Sequence, residues 1–373
     1  MIAIAVGALA LLIWIGLFGS GFWRTDINDQ RASKAEPAIW PSVVAVVPAR
    51  NEADVIACSI GSLAAQDYPG PFSILLVDDN SDDGTADTAR SLGSDRLHIV
   101  SGAPLAAGWT GKLWAVSQGV AAAGKPDYLW LTDADIEHVP DTLRTLVSIA
   151  QAGDRQLVSF MAKLRCDTGA ERALIPAFVF FFQMLYPFAW VNRQRGIGAA
   201  AGGCMLVRRE ALQAAGGIAA IRDALIDDCT LGGLIKRQGS IWLGLTGRSR
   251  SIRPYDTARP IAAMIARSAY AQLDYSPLKL VGTILGLALV YFAPPLLALF
   301  GAGAARWLGL AAWALMAASF VPMLRFYRRS PLWGPALPAI AAFYAGCTIL
   351  SAWQHKQGRG GMWKGRAQAA LGK

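Results

Sequence analysis

The chain has few of the residues that most often carry chemistry on their own. Its 373 residues include three histidines and five cysteines. The cysteines (Cys58, Cys166, Cys204, Cys229, Cys347) form an odd set without a C-x-x-C pair. That pattern excludes a disulfide framework and a thiolate zinc site as the organising device. His98, His138 and His355 have neither metal-ligand spacing nor the partners of a serine or cysteine triad, so histidine-centred catalysis is not expected. A glycine fingerprint is also missing at the end of the first predicted strand, where a dinucleotide fold would let a pyrophosphate approach bare backbone. The residues there are Val47-Pro48-Ala49-Arg50-Asn51-Glu52. Polar side chains at that turn suit contact with a base or a ribose, or a capped helix start.

Charge is scarce as well. Charged residues make up 16% of the chain and hydrophobic ones 54%. Ile2 to Trp23 has no charge at all, and at about 1.5 Å per residue it can cross a hydrocarbon core of roughly 30 Å. With no Lys or Arg before Arg24, a cleaved signal peptide is not expected, and residues 1–23 read as a membrane anchor. Leu280–Phe300, Trp307–Leu324 and Trp333–Trp353 are further apolar stretches, so roughly four spans are predicted. Pro294-Pro295 could mark a broken or re-entrant helix in the first of these. Ile175–Val191 is apolar and aromatic too, but it lies between acidic clusters expected to share one site; it reads as an interfacial or core helix. The net charge of +9 gathers beside the apolar stretches, at Arg24, Arg31 and Lys34, at Arg325, Arg328 and Arg329, and at Lys356, Arg359, Lys364 and Arg366. This suits a bilayer surface; a nucleic-acid partner, which would need basic residues spread over the soluble part, is not expected.

Between the apolar ends the pattern alternates. Strands are predicted over 42–47, 72–77, 97–100, 128–131 and 204–207. Helices are predicted around 56–63, from 85, over 113–122 and over 229–236, the first capped by Asn51 or Asp54. Such alternation implies an α/β fold with a mostly parallel sheet. Two acidic clusters follow apolar runs, Asp78-Asp79 after Leu75-Leu76-Val77 and Asp133-Ala134-Asp135 after Leu129-Trp130-Leu131. Ligands of open α/β sheets bind beyond the carboxyl ends of the strands, which locates the expected site. Asp78 and Asp79 can accept hydrogen bonds from a base or ribose, while Asp82, Asp83 and Gly84 suit the turn. Asp133 and Asp135, two apart on an extended segment, should point the same way. As hard oxygen ligands they suit Mg²⁺ or Mn²⁺ shared with a diphosphate. Lys112, in a Gly-punctuated loop, is a phosphate contact or a solvated lysine. Gly202-Gly203 permits close approach of a ligand or of packed backbone. Asp227-Asp228 opens a predicted helix, as a cap or as a general base. The oxygens of Asp79, Asp133, Asp135 and Asp228 are expected to converge around one bound cation.

Together, VPARNE (47–52), VDDNSDDGT (77–85), GWTGKLWAVSQG (108–119), TDADI (132–136), GGCMLVRREAL (202–212) and IDDCTLGGLIKRQG (226–239) resemble the family 2 inverting glycosyltransferases of the GT-A fold. Within them, the chain resembles the hopene-associated membrane glycosyltransferases, from about Val43 to Leu243 and in the flanking apolar segments. The resemblance implies a GT-A-type, Rossmann-like sheet flanked by helices, with an N-terminal anchor and C-terminal transmembrane helices. The expected layout is anchor 1–23, linker 24–41, catalytic domain 42–255, interfacial segment 256–276, transmembrane helices 277–355 and basic tail 356–373. Carried over, the resemblance makes Pro48, Arg50, Glu52, Asp78, Asp79, Lys112 and Asp133 donor-binding, Asp135 and Asp133 metal-binding, and Asp228 the base, with Asp227 as the alternative. Gly202, Gly203 and Arg267 fall on the acceptor or membrane side. Met264 to Ser268 keeps the Arg (Arg267) of the family's Q/R-x-x-R-W motif without its Trp, so polysaccharide synthesis is not expected. The implied activity is inverting transfer from a nucleotide-diphosphate sugar, a UDP-sugar foremost, to a hydroxyl of a membrane lipid such as a hopanoid, at the cytoplasmic face of the membrane. The competing readings are transfer to polyprenyl phosphate and a non-catalytic, membrane-anchored sugar-nucleotide-binding protein.

Overall fold

A computed structural model describes residues 1–363, 366 and 367; the expected basic tail thus lies partly outside the described residues, Lys364 included. In chain order the first elements are α1 (Ile2–Ser20), β1 (Val43–Ala49), α2 (Ile56–Ala64), β2 (Phe72–Asp78), α3 (Thr85–Arg90), β3 (Leu97–Ser101) and α4 (Gly111–Ala122). Next come β4 (Tyr128–Leu131), β5 (Ile136–His138), α5 (Thr142–Ala152), β6 (Leu157–Lys163), α6 (Gly169–Leu185), α7 (Phe188–Val191) and β7 (Met205–Arg208). Then follow α8 (Arg209–Ala214), α9 (Asp227–Gln238), β8 (Ile241–Ser251), α10 (Ala258–Ser268), α11 (Pro277–Leu287), α12 (Ala293–Phe300), α13 (Gly303–Phe326) and α14 (Leu337–Lys356). The chain divides into two compact units.

The sheet unit is built mainly from Ile27–Arg165 and Phe188–Pro254. Its eight strands run in the order β3-β2-β1-β4-β7-β6-β8-β5. The first four are mutually parallel. β7 is antiparallel to both β4 and β6, β8 is parallel to β6, and β5 is antiparallel to β8. The result is a mixed, mostly parallel sheet flanked by helices. Alternate residues serve opposite faces, as strand geometry requires: Val43, Ala45, Val47, Ile74 and Leu76 join α2 and α5 through Ile56, Ile60, Leu63, Leu143 and Leu146. Leu75 and Val77 turn the other way, toward Ala115 of α4. Gly119 lets α4 lie this close, because a Cβ there would stand 2.4 Å from Val46 Cγ1.

The first strand runs on to Ala49, past the end expected at Val47. Pairing of β1 with β4 stops at Val46 and Leu131, so the N–H that Pro48 lacks falls where one neighbour has already ended. Residues 27–41, expected to be a plain linker, are part of this unit. Asn28 bridges to Leu245, and the buried Asp29 pairs with Arg248, which also holds Asp141 at 3.0 Å.

The helix unit comprises Met1–Asp26, Cys166–Pro187 and Tyr255–Gly360. Residues 166–187 therefore interrupt the expected 42–255 domain. Among the described residues, four helical stretches are long and apolar enough to cross a membrane: Ile2–Ser20, Pro277–Phe300, Gly303–Phe326 and Pro331–Lys356. The aromatic stretch expected to be interfacial or core is α6, outside that set, with Ile175, Ala177, Val179 and Phe180 fully buried. Its start is fixed by a Thr168–Glu171 capping box, and the buried Glu171 carboxylate also accepts from the Tyr255 N–H at 2.7 Å. Pro294 and Pro295 do not break their segment; a π-helical turn over Ala288–Phe292 joins α11 to α12. Pro294 cannot donate to the Val290 carbonyl four residues back. The Trp14 indole N–H supplies that bond from α1 at 2.8 Å, as a carbonyl in apolar surroundings requires.

Candidate active site

The site forms where β1, β2 and β4 end, on the sheet unit. The loops after β1 and β2 are sewn to each other. Asn51 N–H donates to Ser81 Oγ at 3.0 Å and Asn51 Oδ1 accepts from the Asp82 N–H at 3.1 Å. Glu52 N–H donates to Thr85 Oγ1 at 2.8 Å, and Ala53 N–H to Asp83 Oδ2 at 2.9 Å. Asn51 and Asn80 both adopt left-handed backbone, with φ of 52° and 54°, a region Asn tolerates better than other residues bearing a Cβ. Asn51 is thus a loop staple and not the expected helix cap; α2 starts at Ile56 without a side-chain cap, and neither Asn51 nor Asp54 caps it. Asp79 is fully buried, and Arg50 donates to its carbonyl while lying 4.0 Å from its carboxylate. Asp78 serves the turn, accepting from the Ser81 N–H at 3.3 Å. Pro48 lines the cleft with Lys112, Asp133, Gly202 and Asp227.

Lys112 is not in a loop. It sits in the first turn of α4, which begins at Gly111 behind the Thr110 cap, where the helix dipole disfavours a cation. Two carboxylates offset that: its Nζ lies 2.8 Å from Asp133 Oδ1 and 3.0 Å from Asp227 Oδ2. Burial works to lower the Lys112 pKa, but Asp133 and Asp227 outweigh it and hold the ammonium protonated well above its usual range. The Asp133 carboxyl is raised by burial and by Asp135, against the pull of Lys112.

Asp227 and Asp228 are the first residues of α9, whose cap is Ile226; they are inside the helix, where the dipole favours anions. The helix is placed by close backbone contact, since a Cβ on Gly232 would stand 2.5 Å from the Ala199 carbonyl carbon. The Asp228 carboxylate accepts from the Gly202 N–H at 2.9 Å and the Cys229 N–H at 2.7 Å. Burial first and the like charge of Asp227 second push its pKa up to about 6, against Lys112 and the two N–H donors. A carboxylate so tuned can accept a proton near neutral pH. Gly202 keeps this corner open: a Cβ there would meet Asp228 Oδ2 at 3.4 Å and Lys112 Nζ at 3.5 Å.

The D-x-D pair departs from expectation. The chain leaves β4 at Leu131 and turns at Ala134–Asp135 to enter β5, so the alternation of an extended strand does not apply. Asp133 turns to Lys112 and Asp135 to Arg253, whose Nε lies 2.8 Å away. Arg253 also pairs with the buried Glu52. The expected convergence of Asp79, Asp133, Asp135 and Asp228 on one cation is therefore divided among three cations of the chain: Arg50, Lys112 and Arg253. Among the described residues no group of three or more His, Cys, Asp or Glu side chains could hold a metal ion. Two neighbouring carboxylates fit a divalent cation that takes its other ligands from a bound diphosphate, not a caged resident ion.

Arg253 was not foreseen; its partners lie 118 and 201 positions away in sequence, and the only signal was an excess of acids at the strand ends that needed counter-charge. A second unforeseen element lies beneath the D-x-D turn. His138, fully enclosed and kept neutral by burial, which lowers its pKa to about 3, joins Ser249 Oγ at 2.9 Å to Thr132 Oγ1 at 3.0 Å. Thr132 in turn donates to the Gly203 carbonyl at 2.8 Å. The histidine thus ties the turn to β8. Gly203 serves through this carbonyl, and a Cβ there would meet Ala162 and Ile136 at 3.2 Å. Arg267 belongs to the helix unit, in the last turn of α10.

Residues 44–216 match the family described as Glycosyl transferase family 2. The beta-monoglucosyldiacylglycerol synthase of Synechocystis is 31% identical over 196 residues, which cover 48% of this chain and 37% of that protein. The 4,4'-diaponeurosporenoate glycosyltransferase of Staphylococcus aureus is 32% identical over 120 residues, 32% of this chain and 31% of its own length. The chain thus spans well under two thirds of either curated relative. The mannosyltransferase PcManGT from Pyrobaculum calidifontis, solved with GDP-Man and Mn²⁺, superposes with a TM-score of 0.57 at 18% identity. The superposition covers 94% of this chain and 99% of that one, a likeness of fold that places the sheet among GT-A folds.

Proposed function

We propose, from the premise that residues 44–216 form a glycosyltransferase family 2 domain, that the chain transfers a sugar with inversion from a nucleotide-diphosphate sugar to a hydroxyl of a membrane lipid. The observation that carries this reading is the Asp228 carboxylate, oriented by two backbone N–H groups, tuned to about 6 and set beside the Lys112–Asp133 pair. Asp228 takes the proton of the acceptor hydroxyl as its oxygen bonds to the anomeric carbon, and the bond from that carbon to the diphosphate oxygen breaks on the opposite face. Lys112 meets the departing diphosphate as a point charge. Asp133 and Asp135 would hold Mg²⁺ or Mn²⁺, which when bound supplies Lewis-acid stabilisation of the leaving group. Pro48, Arg50, Glu52, Asp78 and Asp79 line the base and ribose side, with a UDP-sugar as the donor.

The lipid acceptor is supported by the four spanning-length helices and by the glucosylated lipid that the name of the Synechocystis relative states, monoglucosyldiacylglycerol. A hopanoid or similar polycyclic alcohol is the acceptor we favour, with the sheet unit on the cytoplasmic side of the cytoplasmic membrane. In membranes supplied with labelled sugar nucleotide, Asp228→Asn should lower transfer to a lipid alcohol by about 10³-fold. A phosphate acceptor is already ionised and needs no base. Wild-type turnover by the Asn variant on polyprenyl phosphate, with no transfer to alcohols by either protein, would therefore overturn the assignment.

A further inference from the structure

Arg253 stands just beyond β8 and is followed by Pro254. Its guanidinium forks between two acids from different loops, Asp135 through Nε at 2.8 Å and Glu52 through Nη2. Glu52 has little freedom to follow another partner, being 6% exposed with its backbone N–H bonded to Thr85. The other acid of the turn, Asp133, is engaged by Lys112. Each carboxylate of the D-x-D turn therefore already has a cation of the chain against it, and an incoming divalent ion must compete with both.

We propose that Arg253 makes divalent-cation binding and nucleoside-diphosphate binding depend on each other, by releasing Asp135 to the ion only when a diphosphate offers its guanidinium other oxygens. The inference rests on the reading that Asp133 and Asp135 meet a cation shared with the donor. A bare ion gains Asp135 only by breaking a charge-assisted fork and leaving Glu52 against an unsatisfied guanidinium. A diphosphate presents paired oxygens that match the same fork, so the competition is relieved. Linkage then requires that the ion tighten the diphosphate by the same factor that the diphosphate tightens the ion. A merely structural Arg253 would clamp Glu52 to Asp135, and the coupling would then be only that of the ion's direct contact with the diphosphate, unchanged by substitution at Arg253.

The test uses the purified full-length protein in detergent and electron paramagnetic resonance of free Mn²⁺, titrated with Mn²⁺ alone, with added UDP and with added GDP. Wild type should bind Mn²⁺ alone weakly and at least about tenfold more tightly with the matching nucleotide. Arg253→Gln should bind Mn²⁺ alone several-fold more tightly than wild type, with the nucleotide's enhancement reduced several-fold to that of the direct contact between ion and diphosphate. Arg253→Lys keeps the charge without the fork, and its enhancement should lie between the two; it carries the test should the Gln variant fail to fold. Unchanged Mn²⁺ affinity and unchanged enhancement in the variants would overturn the proposal while leaving the donor-site reading intact. Absence of Mn²⁺ binding to wild type with either nucleotide would overturn both.

Discussion

On one side of the cleft the loops after β1 and β2 hold each other through four hydrogen bonds, each with a backbone N–H as donor. On the other side Lys112, Asp133 and Asp227 are held by opposed charges, and Asp228 shares their field. The first arrangement depends little on what binds, because its donors and acceptors are already paired between the two loops. The second is sensitive to any new charge, since a ligand anion or cation changes the partner that each side chain prefers. A transferase needs both: a fixed seat for the part of the donor that does not react, and a responsive field where charge develops.

The comparison breaks most visibly at Lys112. Lys112→Met leaves three acids, Asp133, Asp227 and Asp228, without their shared cation. We expect kcat/KM to fall by about 10²-fold or more, the usual effect of removing an electrostatic stabiliser, while the loops at 47–53 and 78–85 stay ordered. Hydrogen exchange of the Asn51, Glu52 and Asp82 amides reads the second part. Loss of protection there would mean that the two sides of the cleft are not independently built.

The pH profile sharpens the same contrast. As the proposed base, Asp228 acts only when ionised, and burial together with Asp227 pushes its pKa up to about 6. The wild-type kcat/KM should therefore hold above that pH and fall tenfold per unit below it. Lys112 lowers this pKa and Asp227 raises it. Replacing Lys112 with Met should move the acid limb to higher pH, and Asp227→Asn should move it to lower pH. Opposite shifts place the titrating group within this charged cluster, where Asp133 and Asp228 both answer to Lys112 and Asp227; an unmoved limb in both variants would assign it elsewhere.

How much of this was legible beforehand follows the same division. Strands β1 to β4, the two acidic strand ends and the acidic pair at the start of α9 could be read directly, because each is local: an apolar run of fixed length with carboxylates behind it. The loop after β1 was recognised as polar, but its stapling by Asn51 was not, since a left-handed Asn looks like a helix cap in sequence. The partners of the acids were not readable. Arg253 meets Glu52 across 201 positions and Arg248 meets Asp29 across 219, and no periodicity encodes such pairs. For the same reason residues 27–41 looked like a linker although Asp29 fixes them to the sheet unit. Residues 166–187 looked like part of the sheet domain although their contacts are with apolar helices.

The smallest effect should come from the rigid side, and its smallness is informative. Asn80 holds φ at 54° in the turn after β2. Alanine in that conformation costs about 1 kcal/mol or slightly more. Glycine adopts it freely but loses part of the gain through a more flexible unfolded chain. Asn80→Ala should therefore lower the thermal unfolding midpoint of the purified protein measurably, and Asn80→Gly should lie between it and wild type. Neither should move the acid limb of the pH profile, because Asn80 is not among the groups that set the Asp228 pKa. A limb that moved with Asn80 would show that the backbone of this turn reaches the charged side after all, and the field around Lys112 would have to be treated as one rigid construction with the loops.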